Sequence, residues 1–187
     1  MLYTVGELIR PLAMACGCFD ILTAGHVRHL QEARKLGRCL LVLVTADKHV
    51  SKGPSRPVFS DSQRVEVIRA LGCVDFAVVN SHPTAVEVIL QIAPDVYVKG
   101  REYRPIDTPE YKRYLSHNLQ LEKAAVESVG GRLEFTDTEE VHTTDVVARM
   151  GTRVAGMPPC KRWIGKNGMY PCQLCGWPLE AHGRNES

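Results

Sequence analysis

The sequence predicts an α/β fold: a five-stranded parallel sheet with helices on both faces, followed by a small Cys/His-rich module. Three observations carry this. Short apolar, β-rich runs alternate with segments of helical period, and no two runs are joined by a hairpin signal. Cys39–Thr45 (CLLVLVT) is almost wholly apolar, as a strand covered on both faces must be. Near Gly151, Gly, Pro, Cys and Trp replace periodic apolar residues, which divides a domain over 1–150 from a module over 151–187.

The elements follow in order. Residues 3–10 are expected to form a leading helix that Pro11 ends, and 12–15 an apolar first strand. A Gly-containing turn over 16–26 leads into a helix marked by Val27, Leu30, Ala33 and Leu36, with Gly37 at its C-cap. After the second strand, 46–59 is polar, basic and punctuated by Pro and Gly, hence a surface loop. Ser60 and Gln63 form a capping box for the next helix, which closes at Gly72. The third strand spans 74–79. Thr84 and Glu87 predict a second capping box, for a helix that Pro94 stops. Residues 96–98 form the fourth strand, Thr108-Pro109 starts a long helix closed by Gly130-Gly131, and 132–135 is the fifth strand. Thr143 or Thr144 caps a last short helix. Right-handed crossovers would make this a Rossmann-like sheet.

Bulk properties narrow the partners. A formal net charge of +2 on 187 residues does not call for nucleic acid, and no apolar run approaches the length of a membrane span. Glu7 and Arg10 interrupt the N-terminal apolar stretch, so no signal peptide is expected there. Seven cysteines, an odd number, suit a reducing cytoplasm better than a disulfide framework.

The topology gathers the chemistry at one rim. Ligands of open parallel sheets bind beyond the carboxyl ends of the strands. There the chain places the turn with Gly17, Gly25 and His26, then Asp47, Lys48 and Lys52, then Lys99 and Arg101, then His142, Thr143 and Thr144. A rim with Lys, His and Arg but few carboxylates suits a phosphate-rich ligand, and a helix N-terminus adds unpaired N–H groups. Neither GxGxxG nor a P-loop is present.

Thr23-Ala24-Gly25-His26 resembles the (H/T)xGH signature of the nucleotidyltransferase superfamily. The longer string GCFDILTAGHVRHLQEARKLG is most similar to heptose-1-phosphate adenylyltransferases and glycerol-3-phosphate cytidylyltransferases. KGPSRPVFSDSQRVEVIRAL, CVDFAVV and PDVYVKGREY continue in the same order, and Val141-His142-Thr143-Thr144 resembles an ISTT-type motif. The first motif position is His in those families and Thr23 here; phosphopantetheine adenylyltransferases also carry Thr. His142, Arg101 and a longer 103–120 segment are further departures.

The resemblance implies attack of a phosphorylated acceptor, a sugar phosphate, on the α-phosphate of ATP, with release of pyrophosphate. An ionised phosphate needs no general base, so catalysis reduces to positioning and charge stabilisation. His26 would donate to the α-phosphate, with Thr23 bonding in place of the usual imidazole, and Lys52 and Lys99 would carry charge. Gly17, Cys18, Phe19 and Gly25 would shape the cradle. Asp47, Arg64, Gly100 and Arg101 would contact the nucleotide, while His142, Thr143 and Thr144 would hold the β- and γ-phosphates. Mg²⁺ would travel with the triphosphate. A cytidylyltransferase using CTP and a polyol phosphate is an alternative, as is a silent nucleotide-binding regulator disabled at Thr23. Homodimers are common in the resembled families, and a homodimer is an expectation here.

In the tail, Cys160, Cys172, Cys175 and His182 supply a Cys₃His set for structural Zn²⁺, which would add folding energy where little core can be buried. Unliganded thiols are the alternative.

Overall fold

The computed structural model describes residues 9–51, 56–104 and 117–138. Five strands, β1 (Leu12–Gly17), β2 (Cys39–Thr45), β3 (Phe76–Asn80), β4 (Val96–Lys99) and β5 (Arg132–Phe135), form one sheet in the order β3-β2-β1-β4-β5. Every pairing is parallel, with Leu12 opposite Cys39, Ala13 opposite Val96, Leu41 opposite Phe76 and Val96 opposite Arg132. The chain runs outward from β1 to β3 and then returns to β4, so the order reverses between β1 and β4. That reversal opens a crevice at the strand ends.

Alternation along each strand feeds two cores. Ala13, Ala15, Leu40 and Val42 face α1 (Ala24–Lys35) and α2 (Asp61–Arg69), meeting Leu30, Ala33, Val65 and Ile68. Leu12, Met14, Leu41, Leu43 and Tyr97 face α3 (Val86–Ile92) and α4 (His117–Ser128), meeting Ile89, Ala125 and Val126. Most of these side chains are fully buried, the larger aliphatic ones worth about 1.5–3 kcal/mol each. The expected Rossmann-like α/β sheet with helices on both faces is therefore present.

Local expectations met different outcomes. The Ser60/Gln63 capping box forms, with both reciprocal bonds. The Thr84/Glu87 box does not. α3 starts at Val86 with Ala85 as N-cap, and the Thr84 hydroxyl instead takes the Val86 N–H at 3.3 Å. The helix ends at Ala93, which adopts φ 50°, before Pro94. Gly37 is needed for another reason than a left-handed cap: a Cβ there would lie 2.7 Å from Ala13 N and Pro11 O, so the chain leaving α1 packs directly on β1. β3 begins two residues later than expected, because Asp75 turns back to accept the Leu40 N–H at 2.8 Å and the Arg34 guanidinium at 3.0 Å. Of the leading helix, Ile9 and Arg10 are described and neither is helical. The rest of it, the start of the helix at Thr108-Pro109, the helix after Thr143 and the whole of 151–187 lie outside the described residues. No described helix is long and apolar enough to cross a membrane.

Candidate active site

The turn between β1 and α1 is held by three sets of bonds. At its end, Thr23 caps α1: its Oγ1 accepts from His26 N at 3.4 Å, while Thr23 N donates to His26 Nδ1 at 3.0 Å. This is a capping box with an imidazole where Glu or Gln usually stands. Because Nδ1 accepts the amide hydrogen, the neutral ring carries its own hydrogen on Nε2. Thr23 Oγ1 lies 3.0 Å from the same Nδ1. Thr23 therefore orients the His26 ring from the start of α1.

Phe19 sits at φ 52°, and its ring meets the His26 ring edge-on at 5.5 Å. It leans on the bare backbone of Gly17, where a Cβ would lie 2.9 Å from the aromatic ring. Gly25 is buried in the first turn of α1.

The second set ties the turn to the loop after β2. Asp20 is fully buried and takes the amides of Val58 at 2.8 Å and Phe59 at 3.0 Å. Arg56 Nε meets its Oδ2 at 2.6 Å, and Arg56 Nη2 donates to the Asp20 carbonyl. Burial alone would raise this carboxyl; the Phe59 and Val58 amides and Arg56 outweigh it and hold Asp20 below the usual carboxylate range.

The third set belongs to Arg64. Its side chain is buried and donates to the carbonyls of Phe59, Cys18 and Thr45 and to Asp47 Oδ1, the last at 2.7 Å. Arg64, expected to touch the nucleotide, is buried and with Asp47 ties the ends of β1 and β2 together, while the Asp47 side chain stays 42% exposed. Arg101 is exposed beside Gly100, the N-cap of a short 3₁₀ turn.

One turn beyond His26, His29 bonds Thr136 Oγ1 at 2.8 Å across the end of β5. Burial, with the positive fields of His26 and Lys99, pushes its pKa down to about 4, so the ring is neutral at physiological pH. Its spacing from His26 was readable in the sequence; the partner across the sheet was not.

On the other face of the sheet, a cavity of about 320 Å³ opens at the ends of β1 to β4, between the start of α3 and α4. Its lining includes Cys16, Gly17, Cys18, Lys99, Asn118 and Glu122, but not His26. Lys99 is 8% exposed and pairs with Glu122 at 3.1 Å, with the rings of Tyr97 and Tyr103 about it at 5.3 and 4.9 Å. Burial would lower the Lys99 pKa, but Cys16 and Glu122 reverse this and keep it above its ordinary value, hence charged. Burial also pushes the Cys16 thiol up, so it stays protonated and is a poor nucleophile. Among the described residues the fully buried Tyr97 hydroxyl makes no hydrogen bond of ordinary length.

Lys52, His142, Thr143 and Thr144 lie outside the described residues, as do Cys160, Cys172, Cys175 and His182. Among the described residues no His/Cys/Asp/Glu group is arranged to hold a metal.

The cytidylyltransferase-like family model matches residues 14–149, all of the sheet but the first two residues of β1. The chain belongs to this family. Relatives agree: the bifunctional protein HldE of Syntrophotalea carbinolica is 39% identical over 137 residues, 72% of this chain and 26% of that protein. The protein of the same name from Streptomyces coelicolor is 49% identical over 98 residues, 51% of this chain and 21% of its own length. The chain thus spans about a quarter of the length of these relatives. The crystal structure of a lipopolysaccharide core biosynthesis protein from Thermoplasma volcanium GSS1 shares the fold, with a TM-score of 0.51 and 24% identity over 70% of this chain and 97% of that one. The resemblance carried by the turn and the later blocks thus holds at the level of the family, and family members of this kind are nucleotidyltransferases.

Proposed function

We propose that the chain transfers a nucleotidyl group, AMP from ATP, to the phosphate of a sugar phosphate and releases pyrophosphate. The observation that carries this reading is the imidazole of His26, fixed by Thr23 as an Nε2–H donor at the N-terminus of α1, just after the β1 end that also lines the cavity. The donor end of α1 takes the nucleotide phosphates. The acceptor occupies the cavity, and its phosphate meets the α-phosphate over the end of β1.

An acceptor phosphate is ionised at neutral pH, so its attack needs no general base. The Cys16 thiol is held protonated, which suits direct in-line attack rather than a covalent enzyme intermediate. The work left to the protein is to orient both phosphates and to stabilise charge on the α-phosphate. His26 supplies a hydrogen bond there, and Lys52 would add charge from the loop after β2.

Asp20 is spent on amides and Arg56, so this buried carboxylate is not offered to a metal. That fits Mg²⁺ carried by the triphosphate with most of its waters, where it would draw charge from the phosphates. For the tail we propose structural Zn²⁺ on Cys160, Cys172, Cys175 and His182. Metal analysis of the purified chain should find one equivalent of zinc, and its absence would overturn that assignment.

The intact Thr23–His26 unit supports turnover over a silent regulator, because Thr at the first motif position still aims the imidazole. Pyrophosphate release from ATP or CTP with Mg²⁺ and a panel of phosphorylated acceptors tests the proposal. ATP should raise the melting midpoint more than CTP and support turnover. Stronger stabilisation and turnover with CTP would replace ATP, and no release with either nucleotide would refute the transferase reading.

A further inference from the structure

Glu122 reaches into the cavity from α4 and is 5% exposed. Its Oε1 accepts the Ala85 N–H at 3.1 Å, and its Oε2 holds Lys99 Nζ at 3.1 Å. A carboxylate has about four acceptor positions and an ammonium three hydrogens, so both groups keep capacity after pairing. Several other polar groups of the lining are spent on their own loop. Asn80 Nδ2 donates to Thr84 O at 2.8 Å, its Oδ1 takes the His82 N–H at 3.2 Å, and the Thr84 hydroxyl serves Val86 N and Glu87. The buried end of the cavity is therefore a balanced ion pair with spare donors and acceptors side by side.

Such an end suits one chemistry. A phosphate placed there would face the Glu122 carboxylate while Lys99 is already neutralised, and separating a buried pair is costly. An apolar group would leave both charges without the partners they can still take. A hydroxyl donates to a carboxylate and accepts from an ammonium, so adjacent hydroxyls satisfy both residues at once.

We infer that Glu122, paired with Lys99, is the specificity-determining residue of the acceptor site: the pair reads hydroxyls of a polyhydroxylated acceptor at the buried end, leaving the acceptor phosphate toward the β1–α1 turn. This rests on the transferase reading above and adds to it which end of the acceptor goes inward and which residue selects it. It also gives Lys99 a different part from the phosphate-charge role expected from its position after β4.

The test measures pyrophosphate release at saturating nucleotide with hexose and heptose 1-phosphates, with glycerol 3-phosphate, and with propyl phosphate, which has no hydroxyl. At least one monosaccharide phosphate should show a KM about 10- to 100-fold below that of propyl phosphate, the range expected for hydrogen bonds to charged groups. E122Q, which can still accept the Ala85 N–H, should bring the two within about threefold of each other by raising the sugar KM, with nucleotide affinity unchanged. Equal KM values for sugar and propyl phosphate in the unaltered protein would overturn the inference, as would an E122Q variant that keeps the preference. So would an unaltered protein that turns over propyl phosphate yet uses none of the hydroxylated acceptors. Failure to bind ATP or CTP at all would instead fall on the transferase reading. If E122Q does not fold, the comparison of acceptors on the unaltered protein decides.

Discussion

The two faces of the sheet use polar side chains in opposite ways. On the α1/α2 face, Thr23, Asp20, Arg56 and Arg64 point at backbone amides and carbonyls, and nearly every polar atom has a protein partner. On the α3/α4 face, Lys99 and Glu122 point into empty volume and hold each other with capacity to spare. The first arrangement fixes a loop so that one imidazole is aimed; the second presents chemistry to a guest. Burial and pairing alone do not tell the two apart, since Asp20 and Glu122 are both buried and both ion-paired. What separates them is whether the remaining lone pairs face peptide or cavity.

Substitutions can break that contrast, in descending order of effect. Asp20→Ala removes the anchor of the 56–59 loop and leaves buried Arg56 without its carboxylate. It should cost about 3–5 kcal/mol in denaturant unfolding. Because the folded Asp20 is held below the ordinary carboxylate value, its contribution is present above that value and lost as pH falls through the folded one. The unaltered protein should thus lose that contribution as pH falls below the ordinary carboxylate range, and a D20A variant as stable as the parent would show that the loop is not clamped. His26→Ala should reduce pyrophosphate-release kcat by about 10²–10³ while the far-ultraviolet circular dichroism is unchanged. Retained kcat would move the phosphate donor elsewhere.

His29 sharpens the comparison by pH. Its folded value of about 4 lies below the 6.5 of an unfolded histidine, so between these the unfolded chain holds a proton that the folded one lacks. Stability should fall as pH drops from about 6.5 to about 4, by up to about 3 kcal/mol. His29→Gln should flatten that slope in a series of unfolding curves, and an unchanged slope would assign it to other groups. The smallest effect is expected for Thr23→Val, which deletes the cap at about 1 kcal/mol. Thr23→Ser should restore both the stability and the rate; a serine variant as slow as the valine one would give the methyl group, not the hydroxyl, the credit.

Much of this architecture was legible because it rests on local pattern. The wholly apolar 39–45 run, the Ser60/Gln63 box and the Thr23–His26 turn each carry their cause within a few residues. The Thr84/Glu87 pair had the same spacing as a capping box, yet Ala85 N–H is taken by Glu122 from α4, and that tertiary bond sets where α3 begins. Arg64 was expected at the nucleotide from the family resemblance; its three carbonyl partners come from positions that no spacing rule connects. Asp20 is bonded to residues 36–39 positions away, which no single stretch reveals. Glu122 carries no local signal, since only its bonds to Ala85 and Lys99 across the packed elements show which way it points.

Phe19 rests on residue 17 and its edge touches the imidazole, so bulk added at one place is felt at the other. A single methyl at position 17 would tilt the aromatic ring and with it the nitrogen that greets the phosphate. Such a variant would bind its substrates, keep its fold and still turn over slowly. Its defect would look chemical while its origin was a matter of elbow room.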